Sequence, residues 1–176
     1  MLLLTATFSV SLAQAQTETL LLRQPTVSAN NVAFVYGGDI WVANRDGSNP
    51  RRLTVNPAVE QAPIFSPNGK MIAFTGNYDG NNDVYVIPVE GGAPKRVTYH
   101  PSGDLVKGWL NDNELYFTAV RDYNYALSPR MHRIKLDGTD EKALPMPEAT
   151  QGSPSADGRY WAYIKNTDPT DRSNVA

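Results

Sequence analysis

The chain has only two imidazoles, His100 and His132, set among many serines and aspartates, so a Ser/His/Asp set for acyl transfer can be written on paper. That chemistry needs a serine raised on a sharp turn beside a general base, and no Gly-x-Ser-x-Gly elbow occurs. His100 sits in Thr98-Tyr99-His100-Pro101, and the matching stretch upstream reads Thr54-Val55-Asn56-Pro57. A position filled by His in one place and Asn in another suits a loop that tolerates turn or left-handed geometry. His132 aligns with Trp41 and Tyr85 and reads as a packing position. No paired-His or His/carboxylate spacing suggests a metal site, and without cysteine there are neither disulfides nor thiolate ligands. Asp79-Gly80-Asn81-Asn82-Asp83 is rich in oxygen ligands, like the opening of a calcium loop, but the downstream Glu and the flanking helices are missing. It reads as a turn capped by its own Asn and Asp side chains. No catalytic residue, metal or cofactor is expected in this chain.

The elements that carry these residues recur. Phe65-Ser66-Pro67-Asn68-Gly69-Lys70-Met71-Ile72-Ala73-Phe74 is followed by Asp83-Val84-Tyr85-Val86-Ile87 and, after a Gly-Gly turn, by Lys95-Arg96-Val97-Thr98. The same order of parts precedes it, in Val32-Ala33-Phe34, Asp39-Ile40-Trp41-Val42 and Arg51-Arg52-Leu53-Thr54. It follows again in Glu114-Leu115-Tyr116-Phe117, Met131-His132-Arg133-Ile134 and Lys142-Ala143-Leu144, and a further copy opens at Ser155-Ala156-Asp157-Gly158. The aromatic strand ends Phe34, Phe74, Phe117 and Tyr163 lie 40, 43 and 46 residues apart. A period of about 40–45 residues built of several short strands is that of a β-propeller blade. The spacing grows in one place, the link between the second and third strands. It runs 6 residues from Phe34 to Ile40, 10 from Phe74 to Val84 and 14 from Phe117 to Met131.

The apolar runs are short, β-branched or aromatic, and bounded by turn residues, so they read as buried strands. Pro and Gly interrupt nearly every helical window, each at about 1–3 kcal/mol in a helix interior. The expected fold is all-β, a partial β-propeller of about three and a half blades of short antiparallel strands over residues 22–176. A net charge of −2 offers no electrostatic case for nucleic acid or for an anionic membrane surface. Arg51-Arg52 and Lys95-Arg96 look like basic patches, but they recur at equivalent places and read as charged strand edges that discourage pairing.

Residues 1–15 form a separate segment. Leu2 to Leu12 is apolar and is followed by Ala13-Gln14-Ala15, a small-x-small pattern. It is too short for a bilayer span of about 20 residues. A secretory signal peptide ending after Ala15 is the expected reading, although no Lys or Arg precedes the apolar core. The competing reading is an apolar strand from the last blade.

The recurring strand-Ser-Pro-Asn/Asp-Gly-Lys/Arg-strand unit, with Asp-x-Tyr/Trp-x and Gly-Gly-x-x-x-Arg-Leu/Val-Thr, resembles the propeller repeat of Tol-system periplasmic proteins and tricorn-type proteases. Leu22-Arg23-Gln24-Pro25-Thr26-Val27-Ser28, Val35-Tyr36-Gly37-Gly38-Asp39-Ile40-Trp41-Val42 and Phe74-Thr75-Gly76-Asn77-Tyr78-Asp79-Gly80-Asn81 are similar to the tricorn-type propeller in particular. The resemblance covers about Leu22 to Tyr163. It implies an amino-terminal propeller whose family places a second propeller, a PDZ-like domain and a serine-protease domain further along. No position here matches the motifs of that distal catalytic region.

The lengthening links connect equivalent strands and must emerge on one face. They carry Tyr78, Asp79 and Asn82 in the second unit and Tyr123, Asn124, Tyr125 and Arg130 in the third. Aromatic and amide side chains on loops over a rigid scaffold suit peptide recognition. The expected function is a non-catalytic segment of an exported tricorn-type protease, periplasmic or secreted, that recognises or gates peptides for a distant serine site. Its partners would be peptides or unfolded protein segments and the remaining domains of the same polypeptide. An unclosed set of blades leaves exposed edges, so the expectation is a fragment of a longer protein or, alternatively, a homo-oligomer. The competing functions are a periplasmic protein-binding propeller like that of the Tol system and the propeller lid of a prolyl-oligopeptidase-like enzyme.

Overall fold

The structure is a computed structural model that describes residues 21–121, 129–146 and 149–165. The described residues hold strands and no helix, in three four-stranded antiparallel sheets and a two-stranded fourth. The first blade is β1 (Arg23–Val27), β2 (Asn31–Tyr36), β3 (Asp39–Asn44) and β4 (Arg51–Arg52). The second is β5 (Glu60–Phe65), β6 (Met71–Gly76), β7 (Asp83–Pro88) and β8 (Lys95–Arg96). The third is β9 (Asp104–Asn111), β10 (Glu114–Ala119), β11 (Arg130–Lys135) and β12 (Lys142–Ala143), and β13 (Ala149–Pro154) with β14 (Trp161–Lys165) opens the fourth. In each blade the chain order is also the spatial order, so every blade is a meander. The strands are a partial β-propeller.

A meander of short strands cannot hide both apolar faces alone, and each blade hides one against its neighbour. Ala33, Val35, Ile40 and Val42 of the first blade meet Ile72, Phe74, Tyr85 and Ile87 of the second. Ala73, Val84 and Val86 on the reverse of the second blade meet Leu115, Phe117 and Ile134 of the third. Tyr116 and Met131 then meet Ala149 and Trp161 of the fourth. The core is therefore a series of seams. The second and third strands carry a repeated ring pair across their register, Phe34 opposite Trp41, Phe74 opposite Tyr85 and Phe117 opposite His132. Phe74 stacks on Tyr85 with centroids 5.7 Å apart, and Phe117 stacks on His132 at 5.6 Å.

The outermost strands are only two residues long, and their basic side chains do more than repel other edges. Arg51 donates to the Val89 carbonyl of the second blade, and Lys95 Nζ donates to the Leu136 carbonyl of the third at 2.7 Å. Arg52 and Arg96 turn back instead to Asp39 and Asp83 of their own blades, at 2.8 and 2.6 Å. The shortest link on the loop face is the two-residue turn Gly37-Gly38, with φ of +64° and +93°. Both angles are positive, as a primed hairpin turn requires, and glycine reaches them without a Cβ penalty.

Gly108 answers to sterics. It lies opposite Tyr116 beside a bulge in β9, and a Cβ there would run into the Tyr116 ring. That ring is buried and meets Trp161 edge-on at 5.1 Å, so it cannot swing aside without opening the seam to the fourth blade. Gly108→Ala should destabilise the protein by about 1–3 kcal/mol in urea melts. An unchanged midpoint would show that the ring is free to move.

Candidate functional site

Antiparallel order places three kinds of segment at one end of the blades: the links from second to third strand, the connections between blades, and the amino ends of the inner strands. Gly37-Gly38 is one such link, residues 77–82 are the next, and residues 120–129 are the third. This is the loop face.

The candidate residues are treated unequally there. Tyr78 lies half-buried, with its ring 4.4 Å from that of Tyr85 and 6.4 Å from that of Phe74. Its hydroxyl donates to Glu60 Oε1 at 2.7 Å, and burial raises the phenol above the ordinary tyrosine range. What remains of the ring edges a crevice of about 250 Å³ with Val55, Asn56, Pro57 and Pro94. Asp79 is exposed and accepts from Arg96 Nη1 at 2.9 Å. Asn82 is half-buried and its carbonyl accepts the Asp104 amide at 2.7 Å. Arg130 opens β11 opposite Ala119. Tyr123, Asn124 and Tyr125 lie outside the described residues. The oxygen atoms of the run from Asp79 to Asp83 are engaged by protein partners, with Asp83 buried and Asp79 exposed. Asp79 and Asp83 share Arg96, and the Asn81 amide donates to the His100 carbonyl at 2.7 Å.

Beneath the links lies a layer of buried acids that sequence reasoning missed. Glu60 is fully buried where the second blade meets the first. Its Oε2 accepts from the Ile40 amide at 3.2 Å and from the Thr54 hydroxyl, and its Oε1 accepts from Tyr78. Burial pushes the carboxyl above the ordinary glutamate value, and the three donors partly counter it. Asp104, also fully buried, holds the same place at the next seam, and burial raises it too. The threonines repeat as well: Thr54 Oγ1 accepts the Ile40 amide and Thr98 Oγ1 accepts the Val84 amide, each at 2.9 Å. A signal was available, since Thr54 to Glu60 and Thr98 to Asp104 are both six residues apart.

The third blade rewires this layer. Arg130 stands where the first two blades have Asp39 and Asp83, and Ala143 stands where they have Arg52 and Arg96. Arg121, entering from the link, pairs instead with Asp104 and Glu141 and lies 5.2 Å from the Phe117 ring centre. His132 is buried against Phe117 with Nδ1 3.3 Å from Glu141, and His100 Nδ1 accepts the Ser102 amide at 3.0 Å. Both histidines serve the scaffold at these contacts. Among the described residues no cluster of His, Asp and Glu is arranged to hold a metal ion.

Two outcomes follow from these buried charges. Arg121→Met strands Asp104 in the seam and should cost about 3–5 kcal/mol in urea unfolding, part of which Asp104→Asn in the same chain should return. No recovery would mean that Arg121 acts through packing alone. For Glu60 the folded-state value lies above the unfolded one, so its proton is held more tightly in the fold. Its contribution is full below the ordinary glutamate range and is lost as pH rises through the folded value. As pH rises from the ordinary glutamate range, the melting temperature of the wild type should therefore fall relative to that of Glu60→Gln. Parallel curves would refute the raised value.

Residues 19–174 match the model of the tricorn protease N-terminal β-propeller domain. A tricorn protease homologue of Streptomyces coelicolor is 35% identical over 127 residues, which is 70% of this chain and 12% of that protein. A tricorn-like protease N-terminal subunit of Sulfurisphaera tokodaii is 31% identical over 124 residues, 67% of this chain and 63% of that one. The chain thus spans about an eighth of the first relative and under two thirds of the second. The crystal structure of the tricorn protease superposes with a TM-score of 0.66 at 25% identity, covering 78% of this chain and 14% of that one. TolB from Acinetobacter baumannii gives a TM-score of 0.69 at 22% identity over 85% of this chain and 39% of its own, a likeness of fold. The blades, their seams and the repeat that builds them agree with the family match: the chain belongs to the tricorn protease N-terminal β-propeller domain family.

Proposed function

We propose that this propeller is a non-catalytic part of an exported tricorn-type serine protease and recognises or gates peptide substrates for an active site elsewhere in the polypeptide. The observation that carries the reading is the loop face. Three links of increasing length stand on a scaffold whose seams are locked directly below them, and loops over such a scaffold are where binding residues concentrate. Tyr78 contributes a fixed ring edge, Asp79 an exposed carboxylate held by Arg96, and Asn82 a side chain beside the next inner strand. Tyr123, Asn124, Tyr125 and Arg130 would add an aromatic and basic counterpart on the third blade. The reading is supported by family membership and by the scaffold tasks of both histidines. Among the described residues no helix is long and apolar enough to cross a membrane.

A second reading, a periplasmic propeller that docks protein partners, is favoured by the superposition on TolB. The two differ in ligand. In the full-length protein, replacing Tyr123 and Tyr125 by Ala should weaken capture of unfolded peptides about tenfold. Undiminished affinity across a peptide panel would remove the gating role and favour the docking module. Export is checked separately, because cleavage after Ala15 makes Gln16 the amino terminus of the mature protein, whereas a retained Met1 excludes it.

A further inference from the structure

The innermost strands β1, β5, β9 and β13 are each the end of a sheet, paired on one side only. β5 lies beside β1 and β9, and β9 lies beside β13, so their unpaired edges gather along the axis of the blades. An open edge offers a row of N–H and C=O groups to which an extended polypeptide can add as a further strand. The edges of β5 and β9 are not open. In β5 the Glu60 amide donates to the Gly38 carbonyl and the Ala62 amide to Gln24 Oε1, both at 2.8 Å. In β9 the Asp104 amide donates to the Asn82 carbonyl at 2.7 Å and the Val106 amide to Thr75 Oγ1 at 3.0 Å. The donors are the first and third residues of each strand, and every acceptor belongs to the preceding blade.

Backbone shape works in the same direction. All four inner strands are irregular: the register shifts between Arg23 and Thr26, between Gln61 and Ile64, at Lys107, and between Ala149 and Gln151. A bulge bends the edge away from any line a partner strand could follow. Pro25 and Pro63, at matching places, have no N–H to give. The residues before them, Gln24 and Ala62, hold φ of +52° and +53°. That conformation is unfavourable for a residue with a Cβ, and more so before proline. Strain repeated at one place in two blades is a built feature.

We infer that the axial edges of β5 and β9 are closed to strand addition, so that a polypeptide passing them in the channel is held by its side chains and not by a backbone ladder. The inference rests on the peptide-handling reading above and deepens it, since a substrate bound for a distant site must not lodge as an extra strand.

The test uses the full-length protein and two probes, a short fluorescent alternating Thr-Val peptide and the same peptide N-methylated at alternate residues, which cannot form a ladder. The wild type should bind both within about twofold, and a Gln24→Ala, Thr75→Val variant, with two amides uncapped, should prefer the unmodified peptide about tenfold. A tenfold preference already in the wild type overturns the inference, whereas none in either protein upholds closure by the bulges and prolines without the caps. If the wild type binds neither probe, the peptide-handling reading fails and amide hydrogen exchange decides the edge. Slow exchange of the Ala62 amide in the wild type upholds closure, and exchange at the rate of an open loop amide overturns it. That measurement stands whether or not the double variant folds.

Discussion

Where one sheet ends against the next, the amides of its first strand are taken from water and have to find new acceptors. This requirement governs the two seams that join the first three blades. The inner strands of the second and third blades begin by donating to the carbonyl just before the third strand of the blade behind, Glu60 to Gly38 and Asp104 to Asn82. A buried acid on that same first residue then gathers the polar groups that the seam would otherwise leave unpaired. Apolar contact holds the blades face to face, but it is tolerant of sliding. The amide and carboxyl bonds set the register of one blade on the next, and so the positions of the links above.

The two acid locks are chemically different. Glu60 is met by neutral donors, the hydroxyls of Thr54 and Tyr78 and the Ile40 amide, and burial favours its protonated form. Asp104 is met by the Arg121 guanidinium, an ion pair that is costly to bury and far more costly to break. The change follows the third blade's loss of the Asp/Arg pair that closes the first two. With Arg130 and Ala143 in those places, the compensating cation arrives from the link as Arg121 and reaches Glu141 as well. The longest link is thus tied to the scaffold at its root by charge, whereas the shortest is only a pair of glycines.

Closure of the inner edges gives the seam a second consequence. The bonds that set blade register also use up amides that an open sheet edge would present along the axis. A single arrangement therefore aligns the blades and protects the channel wall, with bulges and prolines completing the protection where no acceptor is near. On the loop face, composition can vary without disturbing the sheets.

The period, the short antiparallel strands and the equivalence of Trp41, Tyr85 and His132 as packing positions were legible from the chain alone. Each depends on neighbours within a hairpin, and apolar alternation and turn residues report such neighbours directly. The basic pairs were read as edge charges, which holds for their place on the outermost strands but not for their work. Arg51 and Lys95 reach the next blade and Arg52 and Arg96 return to their own aspartates. Tyr78 looked like a loop side chain available to a ligand, and folding turned its hydroxyl inward to Glu60. Local pattern determined the strands, the turns and the face on which the links emerge. Only the meeting of blades decided which acids lose water, which arginine answers them and which ring is spent on the scaffold. Desolvation at a seam depends on groups far apart in sequence, and no local pattern records it.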